Sequence, residues 1–531
     1  MKAGKPRKEG LVMSTDYVMA VDAGTGSVRA VIFDTAGRQT GVSQREWTHR
    51  EDPRWPGSMD FDWEANWRLA CVCIREVLEK TGVRPVEIAA VSTTCMREGI
   101  VLYDREGREI WACANVDARS GDEVGELKRI DPGLEREIYR ESGQTFALGA
   151  LPRLLWVKNK LPDLYGKIAR VGMFNDWLIY RLSGVLAVEP SNGSTTGLFN
   201  LRTRTWDVSI AGRCGLKNDI FPDVIECGTP AGTVSAWGAA ESGLAQGTLL
   251  VAGAGDCQAA TIGVGLTDAN QAAIFGGSFW QYEYNTGEGE ASPRCDVRVN
   301  CHAVTDLWQY EALAFKPGLV MRWFRDAFCQ DETRRAGKRD PYALLDEEAA
   351  KIPAGSYGMA AAFSDVMNYI SWRHAAPTFT NFDLDAEKFN KYTFYRAIME
   401  NTALVTAEHL RLVEAATGKK PERVIFAGGA SKSPLWSQIV ADTLEIPVAV
   451  PEVKEATSLG AALLAFKGAG MYPGIRDAAR RLVRIEAEYL PNDKNRDVYR
   501  AARGMWREVY RAQLALSDAG VTRYMWAAPG L

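Results

Sequence analysis

Residues 18–34 read VMAVDAGTGSVRAVIFD. Two short β-branched runs, Val18–Val21 and Val28–Phe33, predict strands. Between them stand Asp22, Gly24, Thr25, Gly26 and Ser27. A tight hairpin needs glycine, but it needs neither the aspartate nor the threonine. Glycines let backbone N–H groups approach a ligand, and successive N–H groups beside a hydroxyl form a nest suited to phosphate. A carboxylate next to phosphate repels it unless a cation intervenes. Asp22 therefore fits Mg²⁺ held partly through water, with Gly24–Ser27 facing a nucleotide phosphate. For Asp22 taken alone, a plain glycine hairpin with a solvated aspartate fits equally well.

The theme recurs. The meander continues through a turn at Asp34–Gly37 into a strand ending near Trp47. An amphipathic helix follows over Trp63–Lys80, with Asp62 as its N-cap. The stretch from Glu87 to Ile110 gives a buried strand, a polar break and a hairpin turning at Arg105-Glu106-Gly107. In the second half, TLLVAGAGDCQAATIGVG is a strand running into glycines and Asp256, then a small-residue helix. AAIFGGSFWQYEY is a strand broken at Gly276, Gly277 and Ser278. RVIFAGGASKSPLWSQIVADTL is strand, glycine turn and helix, and EATSLGAALLAFKGAG is a second helix expected to pack against it. Glycine–hydroxyl turns thus follow strands at 22–27, 276–278 and 428–433, which predicts duplicated α/β domains facing a cleft. The reading divides the chain into a basic, disordered tail over 1–15, an N-terminal domain over 16–260 and a C-terminal domain over 261–531.

Two nucleotide motifs are excluded. No G-x-x-x-x-G-K-[ST] occurs, and the G-x-G-x-x-G begun by Gly24 ends on Arg29 in a strand. At 531 residues, 46% hydrophobic and 24% charged, the chain exceeds one core. The net charge of −4 and the absence of a basic patch beyond the first ten residues argue against nucleic acid. No apolar run reaches the roughly 20 residues that span a bilayer. The ten cysteines form no C-x-x-C pair and read as reduced small hydrophobes in a cytoplasmic protein; four scattered histidines make a zinc site improbable.

Asp256 ends a strand in the opposite half from Asp22. Phosphoryl transfer to an alcohol needs a base for the hydroxyl proton, which suits Asp256; a turn or helix N-cap suits it as well. Arg97 and Glu98, within Met96–Gly99, are either a surface ion pair or a pair that hydrogen-bonds a small polyol. The residues alone leave both open.

Asp22-Ala23-Gly24-Thr25, Gly255-Asp256, Gly276-Gly277-Ser278 and Gly428-Gly429 with Ser433 resemble, in order and spacing along the whole chain, the motifs of the FGGY carbohydrate kinases. The segment Glu455–Ala465 is similar to the helix that follows. The resemblance implies two actin-like (ribonuclease H-like) domains flanking a catalytic cleft, with ATP and Mg²⁺ as cofactors. It implies Asp256 as general base, Asp22 and Asp256 toward Mg²⁺, and Arg97 and Glu98 on the acceptor hydroxyls. Gly24, Thr25, Gly26, Gly276, Gly277 and Ser278 would face phosphates; Gly318, Arg322, Gly428, Gly429 and Ser433 would border the nucleotide. Three positions depart from the pattern. Gly277 stands where threonine is common, Arg322 where glutamine is, and the segment TFALGALPRLLW (145–156) lacks a substrate tyrosine, which favours a less hydroxylated acceptor than glycerol. TCMREGIVLYD, IWACANVDAR, MRWFRDAFC, VKEAT and the terminal APGL resemble one branch of the family. That branch implies phosphorylation of the terminal hydroxyl of linear 4,5-dihydroxypentane-2,3-dione, the quorum-sensing signal autoinducer-2, and the phosphotransferase carrier HPr as a partner. The alternatives are a kinase for another small sugar, such as a pentulose, and an actin-like ATP-binding switch.

Overall fold

The computed structural model describes residues 16–314, 316–453 and 455–530; the basic tail over 1–15 lies outside them. The opening stretch forms β1 (Tyr17–Ala23) and β2 (Ser27–Asp34), and β3 (Gln39–Glu46) completes an antiparallel meander. β4 (Ile88–Cys95) runs parallel to β1, and β6 (Leu249–Gly255) parallel to β4, with β5 (Pro230–Thr233) antiparallel on the outer edge. The second sheet repeats this plan. β7 (Ala272–Gly276), β8 (Trp280–Thr286) and β10 (Trp308–Ala314) form the meander, with β9 (Arg298–Cys301) beyond them. β11 (Val424–Ala427) and β12 (Val448–Pro451) follow in parallel, and β13 (Ile485–Tyr489) closes the edge. The orders are β5-β6-β4-β1-β2-β3 and β9-β10-β8-β7-β11-β12-β13. Each is three antiparallel strands leading into two parallel ones, as a duplicated two-domain α/β fold requires.

Parallel neighbours demand crossovers, and helices supply them. α1 (Trp63–Thr81) starts where Asp62 accepts a hydrogen bond from the Ala65 N–H at 2.9 Å. Its stripe of Trp67, Ala70, Ile74, Val77 and Leu78 covers Met19, Val21, Ala30 and Ile32 on one face of the first sheet. The opposite face, Val18, Ala20, Val31 and Phe33, is covered from far along the chain by Leu459, Ala462, Leu463 and Phe466. Burial on both faces explains why β1 is continuously apolar rather than alternating.

Five further helices matter for the site: α2 (Asp256–Gly263), α3 (Pro317–Phe328), α4 (Lys391–Thr417), α5 (Pro434–Leu444) and α6 (Ala456–Gly468). The helix α6 departs from the sequence expectation. It packs on the first sheet and against α2, not on α5. Its small residues serve that approach. A Cβ at Gly460 would lie 1.8 Å from the Ala259 carbonyl oxygen, and one at Gly263 would lie 1.9 Å from that of Ala456. Two backbones touch there.

Gly460→Ala therefore sets two effects against each other. Helix propensity gains up to about 1 kcal/mol, but a methyl group pressed into backbone costs about 1–3 kcal/mol or more. The clash wins, so a lower melting temperature is expected in a thermal scan. Since Asp256 heads α2, turnover should also fall. A melting temperature at or above that of the parent would refute the contact.

All ten cysteines are buried and free, in keeping with their reading as small hydrophobes. No helix among the described residues is long and apolar enough to cross a membrane.

Candidate active site

Three parallel strands end side by side. Ala23 pairs with Cys95, and Cys95 with Gly255. Asp22 thus sits at the end of β1, Arg97 and Glu98 just past β4, and Asp256 just past β6. Strands lie about 4.8 Å apart, so about 10 Å separates the outer two. Carboxyl ends of parallel strands are where α/β sheets bind ligands.

Asp22 is 5% exposed. Its Oδ2 lies 3.4 Å from Arg29 Nε, and Arg29 also meets Glu455 at the head of α6. Burial pushes the Asp22 carboxyl up to about 7; Arg29 opposes this, and the charges of Asp256 and Glu455 add to it. The turn that follows is braced from behind. Trp47 Nε1 donates to the Gly24 carbonyl at 3.0 Å, and Asn115 Nδ2 donates to Thr25 Oγ1 at 3.0 Å. The open side of Thr25 and Gly26 faces solvent.

Asp256 is the first residue of α2. Its Oδ1 accepts from the Cys257 N–H at 2.8 Å and lies 3.3 Å from Arg97 Nε. Its side chain keeps 38% exposure. Burial raises its pKa, Arg97 opposes the rise, and Glu98 reinforces it. The strand end is anchored by Ser191, whose Oγ accepts from the Gly255 N–H at 3.0 Å. Glu189 in turn accepts from the Ser191 and Asn192 N–H groups.

Arg97 and Glu98 are buried, 6% and 9% exposed, which removes the surface-pair reading. They do not pair with each other. Arg97 Nη1 meets Glu311 of β10, and Glu98 Oε1 lies 2.7 Å from Arg298 Nη1 of β9. Glu98 holds a left-handed backbone at φ 62, and buried Arg153 clamps its carbonyl oxygen. Burial would raise the Glu98 pKa, but Arg298 and Arg97 outweigh it and hold the carboxyl below its ordinary range. Glu283 stands directly opposite Glu311 across β8 and β10, and both are fully buried. Burial and then the Glu311 charge drive Glu283 well toward its protonated form.

The second and third glycine turns meet in the C-terminal lobe. Gly428 has φ 94, and a Cβ there would lie 2.7 Å from the Gly276 carbonyl oxygen. A Cβ at Gly318 would lie 2.0 Å from that of Gly277, so the start of α3 rests on the second turn. Gly276, Gly277, Gly318 and Gly428 form one contiguous patch, with Ser278 and Gly429 exposed beside it. Arg322 is exposed one turn into α3. Ser433 is a helix cap, since its Oγ accepts from the Trp436 N–H at 3.0 Å at the start of α5.

Arg298, Glu311 and Glu283 have no place in the sequence reading. The available signal was the repeated WQYE, at 280–283 and 308–311, which puts an acid inside two apolar strands.

The N-terminal-domain profile of the FGGY family of carbohydrate kinases matches residues 17–263, and its C-terminal-domain profile matches 289–469. The chain is 49% identical over 521 residues to the autoinducer-2 kinase of Yersinia pestis bv. Antiqua (strain Angola), covering 98% of each chain. It is 48% identical over 521 residues to the autoinducer-2 kinase of Salmonella typhimurium, again covering 98% of each. Its fold is similar to the crystal structure of xylulose kinase from Rhodospirillum rubrum, with a TM-score of 0.82 at 23% identity over 93% of this chain and 98% of that one.

Proposed function

The chain belongs to the FGGY family of carbohydrate kinases, and from that premise we propose that it transfers the γ-phosphoryl group of ATP to the terminal hydroxyl of linear 4,5-dihydroxypentane-2,3-dione. The product is phospho-autoinducer-2. The grouping of Asp256, Arg97 and Glu98 at adjacent ends of parallel strands carries the reading. The acceptor's identity is supported by near-full-length likeness to autoinducer-2 kinases.

Asp256 accepts the acceptor hydroxyl's proton as its oxygen bonds to the γ-phosphorus. The bond from that phosphorus to the β–γ bridging oxygen breaks, and ADP leaves. Glu98 accepts from the neighbouring hydroxyl, and Arg97 keeps Asp256 oriented. Backbone N–H groups around Gly24–Gly26 and Gly276–Ser278 take the phosphates, while Gly318, Arg322 and Gly428–Gly429 flank the rest of the nucleotide. Ser433 acts there through the helix it caps.

Asp22 and Asp256 would hold magnesium, partly through water. Two neighbouring carboxyls, each pushed toward protonation, fit a cation that would let both ionise. Bound magnesium would neutralise charge on the transferring phosphates. They stand at the ends of β1 and β6, the outer two of three adjacent strands and so about 10 Å apart, a span that water between carboxylate and ion would bridge.

The acceptor is tested by ³¹P NMR of products with the dione, xylulose, ribulose and glycerol offered separately with Mg·ATP. The dione is expected to give the highest kcat/KM. Faster turnover of a pentulose or glycerol would overturn the substrate and leave the kinase.

A further inference from the structure

Arg298 reaches out of the C-terminal lobe into the site. It lies on β9, yet its contacts span both lobes. Nη1 is 2.7 Å from Glu98 Oε1 and 3.4 Å from Glu311 Oε1, and Nε donates to Gln144 Oε1 at 2.8 Å. Its side chain is 12% exposed. Charges then alternate from the half-exposed Asp256 inward: Asp256, Arg97, Glu311, Arg298, Glu98. Among the described residues none of the Arg298 contacts uses Nη2, which leaves two N–H donors on a fixed planar fork.

We propose that Arg298 is a specificity-determining residue that donates to carbonyl oxygen on the acceptor, so that the site selects an oxo compound over the matching polyol. This rests on the reading of the cleft as the acceptor site. The groups present match a dihydroxy-dione in number. Asp256 and Glu98 are carboxylates that can accept from two hydroxyls. Arg97 and Arg298 are guanidiniums, which only donate, and a carbonyl oxygen only accepts. A hydroxyl facing Arg298 could accept from it, but its own proton would then need an acceptor. The nearby carboxylates are engaged: Glu311 is fully buried against Arg97 and Arg298, and Glu98 Oε1 is held by Arg298. An unpaired buried hydroxyl proton is worth roughly a 10- to 100-fold loss. Arg298 also occupies Glu98 Oε1, so that Oε2 is left to accept from one hydroxyl. One residue therefore adds a donor and takes up one acceptor oxygen.

The test compares kcat/KM for the dione with that for the 1-deoxypentitol of the same length, in which hydroxyls replace both carbonyls. Arg298→Gln is expected to lower the dione value about 100-fold, chiefly through KM. The pentitol value should change less than about threefold, and Mg·ATP affinity by less than about twofold. Equal losses on both acceptors would reduce Arg298 to a strut for Glu98 and overturn the proposal, as would no loss on the dione. Arg298→Lys keeps the charge but loses the fork; should the glutamine variant not fold, an unchanged dione-to-pentitol ratio in the lysine variant overturns the proposal instead. If the parent protein prefers a pentulose to the dione, the proposed substrate falls. Arg298 is then judged by the pentulose-to-pentitol ratio.

Discussion

Asp256→Asn is expected to lower kcat for phosphoryl transfer by about 10²–10⁴-fold while leaving Mg·ATP affinity within about threefold. Asparagine keeps the shape and the hydrogen bond from the Cys257 N–H, so the start of α2 should hold. What it removes is the proton acceptor. Arg97 loses one counter-charge but keeps Glu311, so the loop past β4 retains its anchor. Burial raises the Asp256 pKa, which makes the carboxylate a stronger base than a solvated aspartate. The sign follows: only the ionised form accepts a proton, so kcat in the parent should rise with pH through that raised pKa and level off above it. The residual rate of the asparagine variant should lose this limb. Single-turnover transfer, read beside nucleotide binding by calorimetry, separates the outcomes. Equal transfer rates in variant and parent would end the assignment of the base. Loss of nucleotide binding along with transfer would mean that Asp256 acts mainly by holding the magnesium nucleotide or the start of α2, and not as the base. An actin-like switch, by contrast, would hydrolyse ATP at a rate indifferent to acceptor.

Much of the N-terminal lobe could be read from the chain because its signals are local. Two β-branched runs around Asp22–Ser27, the cap at Asp62 and the strand into Gly255 each announce themselves within a few residues. The parallel alignment of β1, β4 and β6 follows from their burial, and it brings Asp22, Arg97, Glu98 and Asp256 to one edge. The rest depended on contacts between distant segments. Arg298 and Glu311 approach Arg97 and Glu98 only once the second sheet is assembled and set against the first. The small residues of α6 looked suited to any close partner; only the fold selects α2 and the first sheet over α5. Arg97 and Glu98, adjacent in sequence, invite pairing with each other, yet each is better served across the lobes. Two buried opposite charges are stabilised only when further hydrogen bonds satisfy them. Arg298 and Glu311 supply that second set.

Asp22→Asn is expected to change stability and metal-nucleotide binding in opposite directions, and the pH at which it does so is set by the fold. The folded Asp22 carboxyl titrates near 7 against an ordinary value of 3.8. The folded state therefore favours the protonated form. Stability is greatest, for this group, below about 3.8 and declines as pH rises to about 7, by roughly 4 kcal/mol in all. Arg29 on the same sheet lowers the pKa, while Asp256 and Glu455, from α2 and the head of α6, raise it. Asparagine carries no charge to bury. At pH 8 the free variant should melt above the parent, and near pH 4 the difference should shrink. Cation binding runs the other way, because it needs the carboxylate. Parent affinity for Mg·ADP should be about half-maximal at pH 7 and about a hundredfold weaker at pH 5. The nucleotide's own protonation contributes to that slope, and the variant, which shares the nucleotide but not the carboxyl, isolates the part due to Asp22. Melting curves of both proteins, with and without Mg·ADP, at pH 5.5 and 8 provide the comparison. The parent's magnesium-dependent increment should grow markedly more between the two pH values than the variant's, whose growth reflects the nucleotide alone. A free variant no more stable than the parent at pH 8 would mean that Arg29 already neutralises Asp22, and the carboxyl would then have no unmet charge to offer a cation.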